Sequence, residues 1–392
     1  VVIATSDGGE LEAFHASAQA AISMISYEAG RWGVGFIFSL RGSVFPKAIC
    51  WAVPNAALAF FLHWMLRYQG LAGQSDFSLQ GVGSIWGAFT TVLGFLIVFR
   101  NNQAYVRFWG GSGEIAQVMG QWIHATGDVI SFCTHDPEKY EEVRRFQHLL
   151  VRLMSLLFCA ALQRAGDFED DRFEVIEYVS LDKQSLETMI NADVQERMEL
   201  LSQWVNRLII DANTSGVIQV PPPILSRAFW ELHQGKMELQ AGARILKDVP
   251  FPFPYAQMVS GSLLIHWFLT PVMAAQVIES RFWCSFACFT VVMSFWCLLY
   301  IAFQIDNPIG DEVNDLPVQQ LMRNFNKSLI RLLHPTVQNA PKFSLPPGMS
   351  KTPQTVKSWS LIDDEGPIFQ PAPKGAAAEA SEDSPLLEKA GP

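Results

Sequence analysis

Four stretches of this chain are long enough to cross a bilayer and almost empty of formal charge, and they limit its fold more than any other feature. A spanning helix needs about 20 mostly apolar residues. The runs 48–66 and 77–99 contain no Asp, Glu, Lys or Arg. A third extends over 249–278, but its VPFPFP start carries three prolines, so the helix is expected to begin near Tyr255, with Pro254 at its first turn. The fourth, 282–305, is rich in Trp, Phe and Cys. A fifth run, Leu153 to Gln163, sits between arginines and is too short to span, so it is expected to be a buried helix outside the membrane. Only 17% of the 392 residues are charged, against about 25% in a typical soluble domain, and that deficit is concentrated in these runs.

Basic residues set the expected orientation. Arg31, Arg41 and Lys47 precede the first run, Arg100 and Arg107 follow the second, and Arg323, Lys327 and Arg331 follow the fourth. The loop between the first two runs has only Arg67, near Asp76, and the turn between the last two only Glu279 and Arg281. Both termini and the middle section therefore belong on one cytoplasm-like side, and the sequons at Asn213 and Asn326 are expected to be unglycosylated.

The middle section, about 110–247, shows helical periodicity and no sustained strand alternation. Helices are expected over 113–132, from Asp136–Pro137 onward, over 183–212 and, after the PPP at 221–223, over 224–245. From about 342 to 392 the chain is rich in Pro, Ala, Ser and Glu and is expected to be disordered. The acidic dileucine pattern EDSPLL at 382–387 carries little weight, because six-residue matches in such tails are common by chance. The expected organisation is an N-terminal segment over 1–30 forming a peripheral helix, a channel-like helical domain over 31–341 and the tail. The chain starts at Val1 with Asp7, Glu10 and Glu12 close behind. Without an initial Met the start reads as a fragment or a processed product, and because transit peptides are poor in acids, any targeting peptide is expected to be already removed or not included.

Several function classes fall away. The net charge of −10 does not suit nucleic-acid binding, which needs clustered Lys and Arg. No zincin, nucleophile-elbow or phosphate-loop motif occurs, and the expectation is a non-enzyme. The six cysteines form no C-x-x-C pair and lie mostly in apolar runs, where they act as small hydrophobes. His63 and His266 lie within spans and read as packing residues.

Three motifs remain. FRNNQAYVRFW, at 99–109, closes the second apolar run. It fits an interfacial cap in which Arg100 snorkels and the aromatics sit in the headgroup belt. The other reading is a water-filled vestibule in which Arg100 and the amides of Asn101 and Asn102, with Arg107 beside them, attract anions. Upstream, Thr91, Phe95 and Phe99 recur every four residues on one helical stripe. That is ordinary helix packing in a monomer; around a shared axis it would make an apolar constriction that gates by dewetting. Gly81, Gly83, Gly87 and Gly94 permit close helix approach. Finally, QIDNPIGDEVNDLP places Asp306, Asp311, Glu312 and Asp315 within ten residues. The spacing is not that of an EF-hand loop, so these are weak metal candidates. A turn at Asn307–Gly310 and an N-cap at Asp315 are the expected structure.

These segments, with PFPYAQMV at 252–259, together resemble the bestrophin family, particularly its bacterial and plant-type members, over about 31–331. The resemblance implies an all-α membrane protein with four transmembrane helices per subunit and a cytosolic helical region, assembled as a homopentamer around one axial pore. It implies passive conduction of anions, chloride first and bicarbonate second, through a lipid bilayer. A cation-selective pore and a non-conducting scaffold are the alternatives. The family's neck positions match Thr91, Phe95 and Phe99, where Thr91 departs from the usual apolar type, and its cytosolic aperture matches Ile224. Animal members bind calcium after the last span; the thinner acidic stretch here implies no calcium and no other cofactor. Plant and algal relatives implies a thylakoid setting in a photosynthetic organism, and a plasma or endomembrane otherwise.

Overall fold

The computed structural model describes residues 35–68, 81–166, 168, 172–178, 180–243, 249–310 and 312–343. The N-terminal segment 1–30, the tail beyond 343 and Asp311 lie outside the described residues. Among the described residues there is no strand, only an isolated bridge between Cys133 and Ile218.

The apolar runs form α1 (Phe45–Tyr68), the start of α2 (Val82–Ser131), α7 (Phe253–Val277) and α8 (Arg281–Ile305). Between them lie α3 (Tyr140–Gly166), α4 (Lys183–Asn191), α5 (Val194–Thr214) and α6 (Pro222–Ala243). The helix α9 (Val318–Leu332) and the turn α10 (Pro335–Gln338) follow α8.

Helix α2 organises the molecule. It begins after Gly81, whose φ of 93° favours glycine, and continues unbroken for 50 residues. At 1.5 Å per residue that is about 75 Å, more than twice the hydrocarbon thickness of a bilayer. Arg100 is therefore not at a helix end, as the interfacial-cap reading requires; it lies mid-helix. FRNNQAYVRFW lacks both Gly and Pro, so nothing in it breaks a helix. Residues at spacings of three and four, from Leu93 through Ile97, Ala104 and Ile115 to Trp122, form one buried stripe along the helix.

That stripe joins two cores. The first half of α2 packs with α1, α7 and α8 around Ala52, Leu93, Ile97, Leu263 and Trp296. The second half packs with α3, α6 and α9 around Trp122, Met154, Phe158, Leu201 and Phe325. Here the Trp122 and Phe158 rings meet edge-on at 6.2 Å, and Phe158 meets Phe325 at 4.3 Å. Such aromatic pairs contribute about 0.5–1.5 kcal/mol each beyond area burial. Ser155 fixes α3 in this core by donating to Asn326 Oδ1 and accepting from the Ile176 N–H.

Prolines shape the first core. Pro271 has no N–H, so the Trp267 carbonyl one turn earlier loses its helical donor. The buried Asn55 amide of α1 donates to that carbonyl at 2.5 Å. In return the Trp267 indole donates to the Trp51 carbonyl at 2.9 Å, and Trp51 stacks on Trp296 at 4.0 Å. His63 works similarly, its Nε2 meeting the Ile278 and Glu279 carbonyls at the end of α7.

Two expectations for the middle section change. The segment 183–212 is not one helix, because Asp193 accepts the Glu196 N–H while Glu196 accepts the Asp193 N–H. This capping box starts a second helix. Of the prolines at 221–223 only Pro221 precedes α6; Pro222 and Pro223 occupy its first turn, where no helical N–H is needed. All six cysteines are free and all but Cys50 are buried; burial pushes the Cys133 thiol up to about 11.

Candidate functional site

Opposite its buried stripe, α2 presents a second one that no other described residue of the chain covers. Thr91 is exposed, Phe95 is 70% exposed, and Val98, Asn102, Val106 and Trp109 continue the exposed line. Among the described residues five helices are long and apolar enough to cross a membrane, and the apolar window of α2 is the least buried of them, at 11%. Thr91 donates its hydroxyl to the Gly87 carbonyl at 2.9 Å, so its proton is held by its own helix. Phe99 is half-buried, its ring 5.7 Å from that of Tyr255 in the first turn of α7. Ile224 lies in the first turn of α6 and is 48% exposed.

The two arginines of FRNNQAYVRFW turn inward. Arg100 is a buried residue that meets Asp306 with a two-pronged pair, Nη1 to Oδ1 at 3.1 Å and Nη2 to Oδ2 at 2.9 Å. Its guanidinium lies 3.9 Å from the centre of the Phe251 ring. Arg107, two turns further on, places Nε 3.2 Å from Asp306 Oδ1 and donates from Nη1 to the Val249 carbonyl at 2.8 Å. One carboxylate at the end of α8 therefore holds two guanidiniums of α2. Planar forks of this kind are the strong charge-assisted pairs. Asn101 donates its amide to the Ile97 carbonyl at 2.9 Å, and of the four polar residues only Asn102 is exposed. Arg100 and Arg107 thus support the helix from behind.

Sequence reasoning left Asp306 among the weak metal candidates and missed both Phe251 and the pairing. A signal was present. Residues seven apart share a helical face, and that face carries Leu93 and Ile97 upstream. A guanidinium on a core-facing stripe needs a carboxylate, and Asp306 closes the last apolar run at the same end.

The rest of the acidic segment is also engaged. Asp315, 5% exposed, accepts the Glu312 N–H at 2.8 Å and closes a turn. It does not cap α9, whose N-cap is Pro317 with no side-chain bond. A Cβ at Gly310 would lie 2.5 Å from Asp315 Oδ2, so the turn leaves no room for a side chain there. Asn314 donates to the Gly42 carbonyl at 3.0 Å and to Gln304 Oε1 at 3.1 Å. Glu312 is exposed. Among the described residues no three His, Cys, Asp or Glu come close enough to hold a metal ion.

Beyond the first core, α2 and α6 share a polar seam. Gln117 and Gln234 both donate to Glu238 Oε1, at 3.2 and 3.1 Å. Glu114 lies near it, beside Gly242, and lines a small cavity with Val118, Leu239 and Ile309. Burial, and secondarily the Glu238 charge, raise its carboxyl above the usual range.

These features define an integral membrane protein, all-α among the described residues, whose longest helix leaves an aromatic stripe exposed. The chain belongs to the bestrophin family: the model for bacterial and fungal bestrophin proteins matches residues 24–331. A voltage-dependent anion channel-forming protein of Synechocystis is 22% identical over 250 residues, covering 62% of this chain and 75% of that protein. A protein of the same description from Nostoc is 25% identical over 310 residues, covering 77% and 92%. A solved bacterial bestrophin homologue from Klebsiella pneumoniae shares the fold with a TM-score of 0.59 at 12% identity, over 74% of this chain and 99% of that one.

Proposed function

We propose that this chain is one subunit of a pentameric, four-span anion channel, with chloride as its main ion and bicarbonate second. The observation that carries the reading is the uncovered stripe of α2. Thr91, Phe95 and Phe99 would form the apolar neck when five copies turn it to a common axis, and Ile224 would form a second constriction. Four spans rather than five are favoured because the apolar window of α3 is already 78% buried within the chain, as expected of a helix in a non-membrane core. No enzyme activity is proposed.

The names of the Synechocystis and Nostoc relatives support anions. Arg100 and Arg107 support them less than their sequence position suggests, because Asp306 engages both. A cation-selective pore is the second reading; Glu114 and Glu238, packed in the α2–α6 seam, bear on selectivity no more directly than the two arginines do. Calcium is not proposed as a cofactor. Asp306 is occupied by internal cations, Asp315 by a backbone N–H, and the Gly42 and Gln304 oxygens by the Asn314 amide.

Chloride efflux from liposomes tests the neck. Native protein should release trapped chloride, and Phe95→Ala should release it faster at equal incorporation. No efflux from either, with pentamers confirmed by cross-linking, would leave the scaffold alternative standing.

A further inference from the structure

We propose that Asp306 is a positioning residue for the neck: by holding Arg100 and Arg107 it sets the rotation of α2 and hence the direction of Phe95 and Phe99. The inference rests on the channel reading for its consequence, while the geometry itself does not depend on conduction. Arg100 immediately follows Phe99 and lies about 140° around the helix from Phe95, with Arg107 at about 120°, since each residue advances about 100°. The pair therefore grips α2 from the side away from its uncovered stripe.

Three elements converge on that grip. The end of α8 supplies Asp306, with its two-pronged contact to Arg100 at 3.1 and 2.9 Å. The segment leading into α7 supplies Phe251, stacked on the Arg100 guanidinium, and the Val249 carbonyl, which accepts from Arg107 at 2.8 Å. The first turn of α7 supplies Tyr255 against Phe99. A two-pronged pair fixes orientation as well as distance, so it resists rotation in a way that apolar contacts do not. Between Thr91 and Phe99 the face that α2 turns to α7 and α8 carries Leu93 and Ile97, and the next aromatic contact, Trp86 stacked on His266 at 5.0 Å, lies more than a turn before Thr91.

The test reads helix orientation directly. Cys50 is the only exposed cysteine, so Cys50→Ala gives a quiet background, and Phe95→Cys adds one reporter thiol. Labelling by a water-soluble maleimide is then compared with and without Asp306→Asn in reconstituted protein. The expected change in labelling rate is at least about tenfold, the factor that 1.4 kcal/mol makes in an equilibrium. Asp306→Glu, which keeps the charge, should restore the rate. An unchanged rate in assembled Asp306→Asn protein overturns the proposal. If Asp306→Asn does not assemble, Arg107→Gln removes one arm and leaves the two-pronged pair; an unchanged rate there overturns it equally. Chloride flux through the same vesicles separates the two claims. A labelling shift without any flux in native protein keeps the positioning role and removes the channel, and native flux without a shift does the reverse.

Discussion

Gly235 on α6 faces Trp122 on α2, and replacing it with alanine should separate the two helices. A Cβ built there lies 2.4 Å from Trp122 Nε1 and 2.7 Å from Cδ1. Ordinary carbon contacts begin near 3.5 Å, so helix or indole must retreat by about 1 Å. The indole has little freedom to do so: it is 1% exposed and wedged against Phe158. Overpacking of this kind costs about 1–3 kcal/mol. Retreat also breaks the bond from Trp122 Nε1 to the Leu232 carbonyl, now 3.1 Å, and a buried donor left unpaired adds about 1–3 kcal/mol. Alanine's better helix propensity returns about 1 kcal/mol. The net expectation is a loss of about 3 kcal/mol. Thermal unfolding of the detergent-solubilised protein, followed by size exclusion, measures it. The control is the same substitution in a Trp122→Phe background, where the smaller ring should absorb most of the added methyl. A Gly235→Ala protein that melts with the wild type, or loses equally in both backgrounds, would refute the packing argument.

Three other perturbations test separate parts of the account. Asn55→Leu leaves the Trp267 carbonyl without its donor beside Pro271 and should lower stability by about 1–3 kcal/mol in the same melting assay; no loss would mean that the carbonyl finds another donor. Glu114 has a raised carboxyl, so its ionisation opposes folding, and its contribution is lost as pH rises from its ordinary 4.5 through the folded value. Glu114→Gln should therefore melt above the wild type at pH 7 and lose that advantage below pH 4.5, whereas a pH-independent difference would contradict the burial argument. Phe99→Ala should raise unitary conductance through the loss of one aromatic ring per subunit, and unchanged currents would remove Phe99 from the neck.

Much of the architecture was legible because the bilayer imposes a length rule. The spans around α1, α7 and α8 follow from where charge stops and starts. The full extent of α2 was not, since polar residues within a helix look the same as polar residues ending one. What distinguishes them is the absence of Gly and Pro near Arg100, and that negative signal is easily outweighed by the sudden appearance of charge and of two cap-forming asparagines. The stripe Thr91–Phe95–Phe99 was readable from period alone, while the exposure of Thr91 and Phe95 and the half-burial of Phe99 required the packing of α7 and α8 against the rest of α2. The partnership of Arg100 with Asp306 spans 206 residues and depends on tertiary placement. So does the engagement of Asp315, whose position before Pro317 suits a helix cap but whose carboxylate is taken by the Glu312 N–H. The break before Val194 was local and could have been found: Asp193 and Glu196 stand at capping-box spacing.

The central claim is that this chain forms an anion-conducting pore, and a reversal potential tests it most directly. Purified protein in a planar bilayer under a potassium chloride gradient should reverse near the chloride equilibrium potential. Reversal near the potassium equilibrium potential would contradict anion selection and favour the cation-selective alternative.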